Sequence, residues 1–181
     1  YSPREAMDAY LTVGGVPRYL KRLKASPSVP VGLCQHSFME NAFFSTAYAD
    51  VLIGRFAHNV HYKVVLAYLS QVQFATRQAI ESHLNVLGGG HLTDVLQNLH
   101  SSGFIERYSS FQTDEKTKLV RYCMADPYLR FYFKFIEPMS AQIQRGDFNH
   151  APLTALDRVI YQQWLDFAFA YFCRSAHQQI A

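Results

Sequence analysis

Residues 58–124 constrain the fold most, because three amphipathic helical patterns follow one another there without interruption. Apolar residues recur three or four positions apart in His58–Gln71, Thr76–Leu87 and His91–Ser101, which is the spacing of a helix with one buried face. Gly103 follows the third pattern, and a glycine just past the end of a helix terminates it by taking a left-handed conformation. The segment therefore predicts three short, separate helices.

Two stretches after this glycine predict strands. Phe104–Phe111 and Lys118–Met124 are rich in aromatic and β-branched residues, which favour strands. The polar run Gln112–Thr117 between them predicts the tip of a hairpin. Three helices followed by a hairpin are the order of a winged helix-turn-helix, a fold that binds nucleic acid in many proteins and protein in others. We expect a mainly α fold with one small β-hairpin.

Further helical patterns lie on both sides of this segment. They cover Pro3 to about Thr12, Pro17 to about Lys24, Ser37 to about Ile53, Tyr128–Glu137, Ser140–Arg145 and Leu153 to about Ala176. Ser2 and Glu5 have the spacing of a capping box at the first helix, and Asp126 is placed to cap the helix that follows the hairpin. Ala25–Pro30, which contains two prolines, predicts a linker or tight turn.

The net charge of +3 comes from one end of the chain. Residues 1–25 hold five basic and two acidic groups, whereas residues 58–124 hold six basic and five acidic groups. A dedicated DNA-binding domain usually has a basic face. The nearly neutral balance of the winged helix therefore argues against strong DNA binding.

Composition narrows the class of protein. At 181 residues, 49% of them hydrophobic, the chain is expected to be globular, without a membrane partner or a signal peptide. Its three cysteines are far apart and form no C-x-x-C pair, which favours reduced thiols and the cytoplasm. The chain starts at Tyr1, and we expect it to be part of a longer protein.

Two motifs together resemble a known family. The first is Gly14-Gly15-Val16-Pro17-Arg18-Tyr19-Leu20; the second joins Ser102–Arg107 to Asp126-Pro127-Tyr128-Leu129-Arg130-Phe131. This combination resembles the prokaryotic DEXX-box ATPases of the AAA+/STAND type, from residue 1 to about residue 165. The resemblance implies a helical lid segment in residues 1–55, a winged helix in 56–125 and the start of a truncated, nuclease-like helical domain in 126–181.

The resemblance also implies a nucleotide site in the longer protein. In such ATPases the lid proline packs on the adenine and a nearby basic residue senses phosphate, which makes Gly14, Gly15, Pro17 and Arg18 the candidate cofactor-binding residues. ATP and Mg would be held with an ATPase core that precedes this chain. The alternative is a purely structural break between two helices. No G-x-x-x-x-G-K-[ST] motif occurs, so we expect no cofactor and no catalysis in this chain alone.

The third helix of the winged helix would be the recognition helix if the domain binds DNA. The candidate contacts to base edges are Thr93, Gln97 and Asn98. The candidate contacts to phosphates are Lys116, Lys118 and Arg121. The helix contains no Lys or Arg, and Asp94 would repel DNA. The sequence thus favours contact with protein, or packing within the domain, over DNA binding.

Three functions remain open. The first is a non-catalytic regulatory and interaction region of an AAA+-type ATPase; the second is a free-standing, DNA-binding winged-helix regulator; the third is part of a nuclease. His58 and His61 are three residues apart, but no second pair of ligands has suitable spacing, so no metal site is expected. The wide apolar surface predicted for the helix from Leu153 onward leaves a homo-oligomer open.

Overall fold

The computed structural model describes residues 1–56, 60–84, 90–109 and 119–180. The chain forms two compact units: Tyr1–Tyr48 together with Phe135–Ala181 (unit 1), and Ala49–Lys134 (unit 2). The segments 1–55, 56–125 and 126–181 do not correspond one for one to these units, because helices from both ends of the chain share unit 1. The three-part division of the chain stays a prediction.

Within the described residues the chain is mainly helical. The helices are α1 (Pro3–Val13), α2 (Pro17–Lys24), α3 (Val29–Phe38), α4 (Phe43–Phe56), α5 (Val60–Gln71), α6 (Arg77–Leu84), α7 (Gly90–Ser101), α8 (Pro127–Phe131), α9 (Ser140–Gln144) and α10 (Arg158–Ile180). The strands are β1 (Ala75–Thr76), β2 (Ile105–Ser109) and β3 (Val120–Met124). The predicted fold class, mainly α with a β-hairpin, is confirmed. None of the described helices combines the length and apolar character that a bilayer crossing requires.

Unit 2 has the topology of a winged helix-turn-helix. Its elements follow the order α5, β1, α6, α7, β2, β3, and β3 lies between the other two strands in an antiparallel sheet. The sequence predicted β2 and β3 but not β1, because a strand of two residues is too short to show an alternating pattern. Fully or almost fully buried side chains form the core: Val65, Leu66, Leu69, Ile80, Leu92, Val95, Leu96, Leu99 and Ile105.

Gly103 ends α7 as the sequence predicts. Its φ is 75°, a left-handed conformation that glycine adopts without steric cost. The Gly103 N–H donates to His100 O and the Phe104 N–H donates to Leu99 O, both at 3.0 Å. This pair of bonds is the Schellman motif, which satisfies carbonyls at the end of a helix and turns the chain into β2.

The Asp-Pro-Tyr-Leu-Arg motif forms the junction between β3 and α8. Asp126 Oδ1 accepts a hydrogen bond of 2.8 Å from the Leu129 N–H, and Pro127 occupies the first turn, as predicted for a helix cap. Arg130 is 3% exposed, and its Nη2 donates to Met124 O at 2.7 Å. The buried guanidinium therefore ties the last residue of β3 to the helix that follows.

Unit 1 joins α1 to α10. The capping box at Ser2 is present: the Glu5 N–H donates to Ser2 Oγ, and the Ser2 N–H donates to Glu5 Oε2. Thr12 Oγ1 donates to Asp8 O at 2.6 Å and lies 2.7 Å from Tyr161 Oη. Because the Thr12 proton is committed to that carbonyl, Tyr161 is the donor to Thr12.

Helix α3 lies partly where the sequence predicted a linker. The expected linker was Ala25–Pro30, but the helix begins at Val29, with the Ser28 side chain accepting from the Val31 N–H at 3.5 Å. A proline in the first helical turn is tolerated, because the N–H groups there have no partner within the helix. Residues 25–28, which include Pro27, form the predicted turn, whereas the prediction is wrong for Val29 and Pro30, which lie in the first turn of α3.

The helix predicted for Ser37 to about Ile53 is also wrong in part. Helix α3 ends at Phe38 and α4 begins at Phe43. Asn41, between them, has a φ of 55°, and asparagine tolerates this left-handed conformation better than most residues. Asparagine is not a strong helix-breaking signal, so the sequence pattern predicts one helix where the structure has two.

Two predicted helices near the C-terminal end are also corrected. The continuous helix Tyr128–Glu137 is instead α8, a π-helix at Tyr132–Ile136 and a 3₁₀-helix at Glu137–Met139, because Pro138 cannot donate a backbone hydrogen bond. The helix predicted from Leu153 begins at Arg158, after a 3₁₀-helix at Pro152–Ala155. Asp157 Oδ1 caps α10 by accepting from the N–H groups of residues 159 and 160, at 2.8 and 3.0 Å.

We expect Tyr161→Phe to lower the free energy of unfolding by about 0.5–1.5 kcal/mol, because it removes one buried hydrogen bond while Thr12 keeps its bond to Asp8 O. Tyr10→Phe is the control, since Tyr10 is 41% exposed and its hydroxyl should contribute little. Urea denaturation of both variants measures the difference. Equal destabilisation of the two variants would contradict the role of the Tyr161–Thr12 pair.

Candidate functional site

The corner between α1 and α2 is built around Gly14. Its φ of 73° and ψ of −172° lie in a region that is essentially restricted to glycine, and its N–H donates to Tyr10 O at 2.9 Å. A Cβ on Gly15 would lie 3.3 Å from Cε2 of the Tyr10 ring. The two glycines thus permit a sharp turn close to an aromatic side chain.

Pro17 and Arg18 follow this turn on the surface of unit 1. Pro17 is exposed at the first position of α2, after Val16 in an extended conformation. The Arg18 guanidinium carbon lies 5.0 Å from the Phe43 ring centroid, and that of Arg22 lies 4.9 Å from the same centroid. The predicted nucleotide-contacting residues therefore share one exposed corner with a cation–π cluster; their role in binding a nucleotide stays a prediction.

Helix α7 presents a polar, nearly uncharged face. Its buried side consists of Leu92, Val95, Leu96 and Leu99, which are at most 5% exposed. Thr93, Asp94, Gln97 and Asn98 are exposed. Asp94 is the single Asp, Glu, Lys or Arg in the helix.

Two of the three candidate base-reading residues contact other helices of their own unit. Arg77 Nη1 donates to Thr93 Oγ1 at 2.7 Å, and Asn98 Nδ2 donates to the hydroxyl of Tyr62 at 2.8 Å. The third, Gln97, donates to Ser101 Oγ on the same helix at 3.3 Å. These bonds fix side chains that a DNA-reading helix would aim at base edges.

Arg121, the candidate wing residue that the structure describes, packs within unit 2. It lies on β3 opposite Thr76, and its guanidinium carbon is 4.2 Å from the Phe74 ring centroid. Its Nε is buried, with no hydrogen-bond partner among the described residues. Lys116 and Lys118 lie outside the described residues, as do His58 and the predicted hairpin tip.

Ring contacts between histidines and aromatic residues also join the helices of unit 2. The His61 and His91 ring centroids are 4.9 Å apart with the rings nearly perpendicular, and Tyr68 stacks on His83 at 4.2 Å. In the described part of the chain, no group of three or more His, Cys, Asp or Glu side chains could hold a metal ion.

Arg77 and Phe43 were not predicted from the sequence as members of these surfaces. Arg77 opens α6, and its Nε forms a 2.7 Å salt bridge with Glu81, four residues later. That spacing on one helix is visible in the sequence, whereas the bond from Arg77 to Thr93 depends on how two helices pack. The stacking of Arg22 on Phe43 likewise depends on packing and leaves no local pattern.

Comparison with known proteins gives limited matches. No protein-family model matches the chain. Over 87 residues, 47% of the chain, it is 37% identical to the uncharacterized protein MJECL04 of Methanocaldococcus jannaschii, and this match spans 19% of that protein's length. The solved structure of disulfide-formed AbfR aligns with 77% of this chain and 84% of its own, at 18% identity and a TM-score of 0.36. A similarity of that size does not indicate a shared function.

We expect Gly14→Ala to lower the free energy of unfolding by about 1–3 kcal/mol, because alanine is strained in this backbone conformation. Gly15→Ala is the matched control, since its φ is not positive and its added Cβ would meet a side chain that can shift. Urea denaturation and circular dichroism measure both variants. A destabilisation by Gly15→Ala as large as that by Gly14→Ala would show that crowding, not backbone conformation, sets the requirement.

Proposed function

We propose that the chain is a non-catalytic regulatory and interaction region of a prokaryotic AAA+-type ATPase, in which the winged helix contacts protein and binds DNA only weakly. The observation that carries this proposal is the exposed face of α7. Thr93 and Asn98 are hydrogen-bonded to other helices of unit 2, and Asp94 is the single charged group of the helix, with histidine counted as neutral.

Direct reading of DNA by this face would be costly. Asn98 would have to give up its bond to Tyr62, and the net value of such a bond is about 0.5–1.5 kcal/mol, comparable with the roughly 1–3 kcal/mol that a good bidentate base contact contributes to discrimination. Asp94 would also lie against phosphates. Contact with a protein partner would require neither the loss of the bond from Asn98 to Tyr62 nor the placement of Asp94 against phosphates, since exposed polar groups can remain at the rim of an interface.

The corner between α1 and α2 supports the second part of the proposal, a lid over a nucleotide held mainly by a preceding ATPase core. Pro17 is an exposed, rigid, apolar ring, and Arg18 and Arg22 bring positive charge to the same helix. We propose that in the longer protein Pro17 contacts adenine and Arg18 senses phosphate. ATP and Mg are the cofactors of that complete site.

For the winged helix, we expect selection from a randomised duplex pool to enrich no sequence, and Thr93→Ala and Asn98→Ala to leave DNA affinity unchanged. The reason is that these side chains are engaged within unit 2. Fluorescence anisotropy at several salt concentrations measures the affinity. An enriched motif whose binding is abolished by Asn98→Ala would instead favour a free-standing, DNA-reading regulator.

For the lid, we expect Pro17→Ala and Arg18→Ala in the longer protein to weaken nucleotide binding or its coupling by about 1–3 kcal/mol, a magnitude typical of such switches. Arg145→Ala is the control, because Arg145 is an exposed residue of unit 1 whose guanidinium forms a surface salt bridge to Asp147. Calorimetric titration with ATP and a thermal melt measure binding and folding separately. Unchanged nucleotide binding in both variants would reduce the corner to a structural turn.

A further inference from the structure

The basic residues of α2 form one exposed surface on unit 1. Arg18, Lys21, Arg22 and Lys24 are all exposed, and α2 contains no acidic residue. Lys21 is three residues from both Arg18 and Lys24, and Arg22 is four residues from Arg18. Residues at these spacings are neighbours on a helix, about 5–6 Å apart at Cβ. These four side chains are called the α2 basic surface.

The opposite side of α2 is buried in unit 1. Tyr19 is 7% exposed and Leu23 is 1% exposed, and Leu20 is partly buried. The helix is therefore amphipathic, with its apolar side in the core and its charged side toward solvent.

The helices packed on α2 carry little negative charge. In α1, Glu5 accepts from the Ser2 N–H at 2.9 Å in the capping box. Burial raises the pKa of Asp8, and its charged neighbours are Arg4, Glu5 and Asp166. Helix α3, which also packs on α2, contains no acidic residue, and α4, whose Phe43 contacts Arg18 and Arg22, contains one, Asp50. The positive charge of α2 therefore exceeds the negative charge of its neighbouring helices, which gives this side of unit 1 a net attraction for anions.

We propose that the α2 basic surface binds the phosphate backbone of duplex DNA without reading its sequence. From Arg18 to Lys24 the helix rises about 9 Å. One DNA strand carries a phosphate for roughly every 3.4 Å of its axis, so the surface spans about three phosphates. Lysine and arginine contacts to phosphates position a protein on DNA without specifying sequence.

The chemistry of the surface favours DNA over a membrane or an acidic protein. A helix that binds a membrane surface inserts an exposed apolar face, but the apolar side of α2 is already buried. The core of a protein interface is largely apolar, and α2 itself offers charge without an exposed large apolar side chain; the exposed apolar groups near it, Val16, Tyr1 and Tyr10, belong to neighbouring segments.

Duplex DNA is favoured over a single strand for a related reason. Proteins that hold single strands stack bases on exposed aromatic rings. Tyr19 is buried, and the Phe43 ring already contacts the guanidinium groups of Arg18 and Arg22. The four side chains therefore offer phosphate contacts and no aromatic ring of their own; the exposed rings of Tyr1 and Tyr10 lie in α1 or just before it and line a pocket beside Leu20 and Leu23.

Three of the four basic residues of this surface could instead serve to stabilise α2 itself. Lys21, Arg22 and Lys24 lie in the last turn of α2, where positive charge interacts favourably with the helix dipole. A test must therefore measure folding together with binding.

The test uses the triple variant Lys21→Gln/Arg22→Gln/Lys24→Gln in the whole chain. Its charge-matched control is Lys63→Gln/Arg107→Gln/Arg145→Gln, which removes three exposed cations elsewhere. Anisotropy of a labelled DNA duplex, measured between about 50 and 200 mM salt, gives the slope of log K against log salt. The slope should shrink by roughly 0.9 for each phosphate that is no longer neutralised, so by about 2–3 in the triple variant and not in the control.

A second variant keeps the test valid if removing Arg22 from Phe43 disturbs the fold. Lys21→Gln/Lys24→Gln leaves that stack intact and should reduce the slope by roughly 1.8. Circular dichroism and thermal melting of every variant establish that the helices remain folded. The α7 substitutions Thr93→Ala and Asn98→Ala separate this surface from the winged helix, since they should leave the slope unchanged.

Each outcome supports or overturns the proposal. A smaller slope in the folded double and triple variants, with an unchanged control, supports it. Absence of DNA binding by the unaltered chain, or an equal decrease of the slope in triple variant and control, overturns it. Binding of phosphatidylserine vesicles or labelled polyglutamate in place of DNA, abolished in the triple variant, also overturns it and assigns the surface to a membrane or an acidic protein.

Discussion

Unit 1 depends on the buried contact between α1 and α10. Tyr161 donates its hydroxyl to Thr12, which in turn donates to Asp8 O, and the Tyr161 ring stacks on Trp164. Burial raises the pKa of Tyr161 well above the usual value for tyrosine, so the hydroxyl remains protonated and can donate. A buried hydroxyl without a partner costs about 1–3 kcal/mol. The pair therefore selects one alignment of two helices that are far apart in sequence.

The parts of the fold that the sequence predicted are those set by neighbouring residues. The capping box at Ser2, the helix stop at Gly103 and the cap at Asp126 each involve residues close together along the chain. The break at Asn41 depends on a left-handed conformation that asparagine tolerates but does not require. The shared core of the N- and C-terminal helices depends on contacts between distant residues, which the periodicity of a single helix does not report.

The same distinction applies to the candidate sites. The glycine-proline corner and the positive charge of α2 were visible in the sequence, because both come from adjacent residues. The environment of Arg121 was not, since its packing on Phe74 requires β1 and β3 to pair. The bond from Asn98 to Tyr62 likewise joins α7 to α5. The structure thus separates a nearly uncharged helix face in unit 2 from a strongly basic helix in unit 1.

Unit 1 is made of two stretches of chain with unit 2 between them, and this order has a consequence for biosynthesis. A ribosome makes the segment from α1 to α3 first, then all of unit 2, and only later α10. At about 5–20 residues per second, α1 waits on the order of ten seconds for its partner helix. During that interval Leu11 and Val13, which are buried in the finished protein, are open to chaperones and to other nascent chains, whereas the continuous winged helix can already fold.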